Sequence, residues 1–209
     1  MTIVGNGEIE VVAGGRTDIG DTVLDGGTLE ILADGLAIGT TIEFGGSEIV
    51  NVGGTDLGAQ ITGTQYDYGS AIGDTIYGST SYTGYQYIEA GTTAFNTTLD
   101  GPCWQYVEVG ATIVHTVDNG GGVVVYGTAL GTVINAGGNQ DVDGGTAVGT
   151  VINSGAAELI FSEGLAIGSI INSGGNQGIS EGGTARDTII NARAVSERIE
   201  SREGFPNRL

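Results

Sequence analysis

Two stretches of this 209-residue chain set aromatic and acidic side chains in one shared pattern. Tyr85-Gln-Tyr-Ile-Glu89 and Cys103-Trp-Gln-Tyr-Val-Glu108 align at a spacing of 19 residues, which puts Trp104 over Tyr85 and Tyr106 over Tyr87. All eight tyrosines (Tyr66, Tyr68, Tyr77, Tyr82, Tyr85, Tyr87, Tyr106, Tyr126) fall in this middle region, with Phe95 and Trp104. Aromatic faces suit pyranose rings, and carboxylates accept hydrogen bonds from sugar hydroxyls. Tyr85, Tyr87, Trp104, Tyr106, Glu89 and Glu108 are therefore candidate glycan contacts. The plainer reading is a stacking ladder between coils, each ring pair contributing roughly 0.5–1.5 kcal/mol beyond burial.

Catalysis on a polysaccharide needs an acid and a base at a defined separation. Asp100, Asp118, Glu89 and Glu108 fall at loop or repeat-equivalent positions without such a constellation. His115 has Asp118 nearby but no nucleophile beside it, and reads as a surface histidine. Cys103, without a histidine partner, reads as inert. Residues 137–145, Gly-Gly-Asn-Gln-Asp-Val-Asp-Gly-Gly, lack the order of a calcium nonapeptide and do not recur at nine residues. No catalytic, cofactor or metal site is expected. Asn96-Thr-Thr98 matches an N-glycosylation sequon. The pairs Thr40-Thr41 and Thr97-Thr98 do not keep the spacing of an ice-binding array.

The formal net charge is −19, and the six basic residues are all arginine, five of them at or beyond Arg186. Such a chain repels phosphate backbones and anionic membrane surfaces, which argues against nucleic acid as a partner. No stretch approaches 18 apolar residues, so no transmembrane segment is expected. The start lacks a basic n-region followed by an apolar run, and is not a Sec-type signal.

What positions these residues is a repeat. Gly131-Thr-Val-Ile-Asn135 recurs as Gly149-Thr-Val-Ile-Asn153, Gly168-Ser-Ile-Ile-Asn172 and Asp187-Thr-Ile-Ile-Asn191. A threonine slot extends upstream through Thr22, Thr41, Gln60, Thr75, Thr98, Thr116, Thr132, Thr150, Ser169 and Thr188, at a mean step of about 18.4 residues. Each unit has two short segments, such as Ala-Ile-Gly-Thr-Thr-Ile at 37–42 and Ser-Glu-Ile-Val at 47–50. The 41 glycines punctuate them, as at Gly45-Gly46 and Gly174-Gly175. Runs of four to six β-branched residues broken by glycine read as strands.

One such unit cannot bury its apolar face alone, so units must stack. Alternation predicts Ile38 with Ile42, Val148 with Val151, and Ile167 with Ile170 as core columns. Stacking at about 4.8 Å per coil gives a rod of roughly 48 Å. Glu30, Glu48, Gln86, Gln105, Gln140, Glu158 and Gln177 form a polar column in which glutamines dilute carboxylate repulsion. Asn135, Asn153, Asn172 and Asn191 predict an amide ladder.

Units such as Gly145-Thr-Ala-Val-Gly-Thr-Val-Ile-Asn-Ser-Gly155 resemble the strand-loop-strand repeats of AIDA-like autotransporter adhesin passengers. The resemblance covers roughly residues 5–192. It implies a right-handed parallel β-helix (β-solenoid) of about ten 18–19-residue coils at the bacterial cell surface or outside the cell, serving adhesion, autoaggregation or biofilm formation. Its implied partners are host or bacterial surface glycans or proteins, or a further copy. It also implies O-linked sugars, with Thr132, Thr150, Ser169 and Thr188 in the matching slots. No translocator barrel follows the repeats, so the chain reads as part of a larger protein or as a product secreted by another route. The alternative is a carbohydrate-binding or polysaccharide-processing β-helix using the aromatic coils. Residues 1–191 form the repeat domain, and 192–209 a charged tail with a possible helical cap before Gly204 and Pro206.

Overall fold

The computed structural model describes residues 1–191 and the strand backbone of Val195–Arg198. It is a parallel β-helix, with three strands per coil where the sequence suggested two. They build three sheets of 11, 11 and 10 strands, each strand paired in parallel with its equivalents one coil before and after. In one coil the strands are Thr22–Val23 on the first face, Thr28–Ile31 on the second and Leu36–Ile38 on the third. Ile152 pairs with Ile171, and Ile171 with Ile190, as the stacking argument requires.

The extra face arises at a corner. Ala37-Ile-Gly-Thr-Thr-Ile42 is not one strand, because Gly39 at φ 63° turns the chain between Leu36–Ile38 and Thr41–Ile42. That turn resets the alternation: Ala37, Thr40 and Ile42 are buried, while Ile38 faces out and is half-buried. The predicted core columns are corrected accordingly. Val148, Val151, Ile167 and Ile170 also face out, and the core holds Ala147, Ile152, Ala166 and Ile171. The opposing wall comes from second-face residues such as Ile31, Val50 and Ile160.

The corner also resolves the threonine slot, which mixed two columns. Thr98 pairs with Val117, so Thr116 lies one position earlier, and the Val117 amide donates to the Thr97 carbonyl. Thr40, Thr97, Thr116, Thr132, Thr150 and Ser169 form a buried column, and Thr22, Thr41, Thr75 and Thr98 an outward one. Double glycines divide two tasks. Gly45 adopts φ 81°, and a Cβ on Gly46 would lie 2.6 Å from the Val23 carbonyl of the preceding coil.

The polar column is inside the coil. Glu48, Gln65, Gln86, Gln105, Gln140, Glu158 and Gln177 are buried, whereas Glu30 faces out opposite Ile49, and Leu29 holds its place. Alternation explains this, since each sits two residues before another inward side chain. Gln65 donates to Glu48, Gln86 to Gln65 and Gln105 to Gln86, each at 2.7 Å. The hydroxyls of Thr116 and Ser169 reach across from the first face to Gln105 and Glu158 at 3.1 and 2.9 Å. An interior closed off from solvent thus keeps amides and hydroxyls by pairing them coil to coil.

The asparagine ladder forms as expected and starts one coil earlier, at Asn119. Each amide donates to the previous coil at 2.6–2.8 Å through Asn135, Asn153, Asn172 and Asn191. The expected cap from Ala192 lies outside the described residues, except that Val195–Arg198 extends the second sheet as a strand and not a helix.

A candidate glycan-contact strip on the second face

The second-face strands Tyr85–Ile88 and Trp104–Val107 turn Gln86, Ile88, Gln105 and Val107 inward, which forces Tyr85, Tyr87, Trp104 and Tyr106 outward. Tyr85 pairs with Trp104, and Tyr87 with Tyr106, in the predicted register. The neighbouring coil adds Tyr66 beside Tyr87. One residue past the end of each strand, Tyr68, Glu89, Glu108 and Tyr126 make a third outward row. All six sequence-selected residues therefore share one surface.

Tyr66, Tyr87 and Tyr106 stack at centroid distances of 5.3 and 5.0 Å with planes 13° and 8° apart. Tyr85 lies 6.4 Å from Tyr87, and Trp104 lies 6.2 Å from Tyr106. The rings so form the stabilising ladder. They also remain half-buried, not sealed, and Tyr68 and Tyr126 are exposed. Sequence reasoning missed Gly122, which seats the indole: a Cβ there would lie 2.4 Å from Trp104 Cζ3. It also missed the inserted turn Gly78–Gly84, closed by a Gly78–Thr83 bridge just before Tyr85.

Burial raises the Tyr87 and Tyr106 phenols above their ordinary values, and burial with Glu89 does so for Tyr68. All three stay protonated hydrogen-bond donors at neutral pH. Among the described residues, every ion pair lies near the amino-terminal end, at Met1–Asp21, Arg16–Glu10 and Arg16–Asp18. Neither Glu89 nor Glu108 has a cation beside it there.

The other candidates scatter. His115 faces solvent at φ 58°, on the corner residue between the third and first faces, with its ring over Gly131. Asp118 points inward, where its carboxylate accepts from the Gly120, Gly121 and Asn139 amides at 3.1, 2.6 and 2.9 Å. The two do not meet. Asp100 is exposed. Cys103 is buried against the Ile76 carbonyl, and burial pushes its thiol up to about 12. Among the described residues no group of three or more His, Cys, Asp or Glu is placed to hold a metal, and no helix is long and apolar enough to cross a membrane.

The expected sugar-acceptor hydroxyls need correction. Thr132, Thr150 and Ser169 are 0–1% exposed, inside the coil, and only Thr188 keeps partial solvent contact. The cause is again the corner, which places the residue after glycine inward.

No family model and no curated protein matches the chain. Among solved structures it is similar to a TibA fragment hyper-glycosylated in a TibC-catalysed reaction, at 30% identity and TM-score 0.75, over 95% of this chain and 81% of that one. QnrB1, a plasmid-mediated fluoroquinolone resistance protein, aligns at 12% identity and TM-score 0.29, over 84% of this chain and 92% of that one, too loosely to argue from. With its stacked strand-loop-strand coils and that likeness along nearly its whole length, the chain belongs to the AIDA-like autotransporter adhesin passengers.

Proposed function

We propose that this chain is a non-catalytic adhesin-type module, displayed on the bacterial surface or secreted, that holds cells to surfaces or to one another. The TibA likeness over 95% of the chain carries the reading. The third face supports contact between copies. Its outward residues include Ile38, Leu57, Ile72, Val114, Leu130 and Val148, and no acidic side chain stands in these rows, although the chain has 25 Asp and Glu. Two copies meeting there avoid the like-charge repulsion of the other faces. A settling assay on cells displaying the protein should show clumping, abolished by Val114→Asp with Leu130→Asp. Dispersed cells that also fail to attach to surfaces would contradict the proposal. Of the four hydroxyl slots Thr188 alone remains a proposed acceptor for O-linked sugar, and its hydroxyl would have to turn from Gln177, to which it donates at 3.2 Å.

A second reading, that the strip contacts carbohydrate, is favoured by one observation: six aromatic and acidic residues selected on spacing alone share one solvent-facing surface.

A further inference from the structure

The strip combines ring surfaces with two carboxylates that have no cation beside them among the described residues. Glu89 and Glu108 stand one coil apart in the same outward row, flanked by the exposed Tyr68 and Tyr126. Beside them, ring pairs repeat at the same one-coil step, Tyr85 with Tyr87 and Trp104 with Tyr106. Aromatic faces attract cations, and more strongly where carboxylates add to the field. A net charge of −19 turns anionic polymers away. A neutral polymer leaves both carboxylates without an ionic partner.

We propose that this surface takes a linear glycan bearing free amino groups, a glucosamine-type polymer, whose sugar rings lie against Tyr85, Tyr87, Trp104 and Tyr106 while its ammonium groups pair with Glu89 and Glu108. The repeat of ring pair and carboxylate at each coil suits a ligand that repeats, with sugar ring and amine in each unit. A cationic peptide fits less well. An extended peptide binds a sheet chiefly by pairing with an open strand edge. Here the strands Tyr85–Ile88 and Trp104–Val107 are already paired on both sides, so only side chains are on offer. The inserted Gly78–Gly84 turn lies before Tyr85, on the side of the strip opposite the glutamate row. It carries Ser79, Thr80, Ser81 and Thr83, a set of hydroxyls suited to sugar oxygens.

The proposal rests on the second reading above, and one titration separates the two. The full chain is titrated calorimetrically at pH 6 with a deacetylated glucosamine oligomer, its N-acetylated counterpart and poly-lysine. Binding of the deacetylated oligomer alone is expected, weakened roughly tenfold by Trp104→Ala, the scale of one lost ring-stacking contact. The near-isosteric pair Glu89→Gln and Glu108→Gln, which leaves the ring ladder intact, should remove the preference for the amine. Equal binding of both oligomers would overturn the amine assignment and leave the sugar strip standing. Binding of poly-lysine without either oligomer, or of nothing, would overturn both. Equal affinity in wild type and the Gln pair would also overturn the proposal.

Discussion

The coils after Thr128 and the coils between Gln60 and Tyr126 solve the same stacking problem differently. In the later region, paired first-face strands begin at Val133, Val151, Ile170 and Ile189, with steps of 18, 19 and 19 residues. In the middle region the starts are Gln60, Thr75, Thr98, Val117 and Val133, with steps of 15, 23, 19 and 16. Register nonetheless holds throughout, because the added or missing residues leave at corners while the inner columns stay aligned. The interiors differ too. Glu158 accepts from Gln140, Ser169 and Gln177 at 3.1, 2.9 and 2.7 Å. Where the middle region begins, Glu48 and Asp56 are buried one coil from Asp67 and Asp74, and burial together with the neighbouring acids raises the Glu48 and Asp56 carboxyls. The regular coils bury one acid, Glu158, with three donors around it, whereas Glu48, Asp56, Asp67 and Asp74 crowd the inside where the irregular stretch begins, and aromatic rings cover its outside.

The largest effect is expected in the regular region. Ile152→Ala empties a core position and should cost about 2–5 kcal/mol, read as a lower urea midpoint. Ile167→Ala, in the outward row, should cost well under half of that. Equal losses would mean that inside and outside have been exchanged.

The buried acids come next. Burial raises the Glu48 carboxyl to about 8 and that of Asp67 to about 7, and lifts Asp56 and Asp74 in the same direction. A carboxyl raised in the folded state favours folding while protonated. Its contribution is fully present below the ordinary carboxylate range near pH 4 and is lost as pH climbs through 7–8, by up to about 1.4 kcal/mol per pH unit for each group. Urea midpoints measured from pH 5 to pH 8.5 should therefore fall, and Glu48→Gln should flatten the decline. A midpoint that rises with pH would refute the buried, neutral state.

The smallest effect belongs to the amide ladder. Asn153→Ala removes bonds to Asn135 and Asn172 near the surface and should cost roughly 0.5–1.5 kcal/mol. Loss of folding there would give the ladder more weight than its exposure allows.

Much of this was legible in the residues. Repeated Thr-Val-Ile-Asn blocks fix the stacking and the asparagine column, and the 19-residue offset fixes Trp104 over Tyr85. The third face was not legible, because Gly39 turns the chain within what reads as one strand. Everything that depended on parity across that corner slipped by one: Ile38 as core, Thr132 as an exposed hydroxyl, and Thr98 aligned with Thr116. The doublet Thr97-Thr98 hid the slip by offering threonine in either register. Burial of Gln86 and Gln105 is readable from their spacing to Ile88 and Val107, but the hydrogen-bond partners that make it tolerable lie one coil away and have no local signal.

Register through the irregular middle is the claim on which the strip and the stack both stand. Cysteines placed at Thr98 and Val117, directly paired in adjacent strands, should form a disulfide under mild oxidation, since neighbouring strands lie within bridging distance. Cysteines at Thr98 and Thr116 should not, because Thr116 points into the core. Efficient crosslinking of 98 with 116, and none of 98 with 117, would contradict the account.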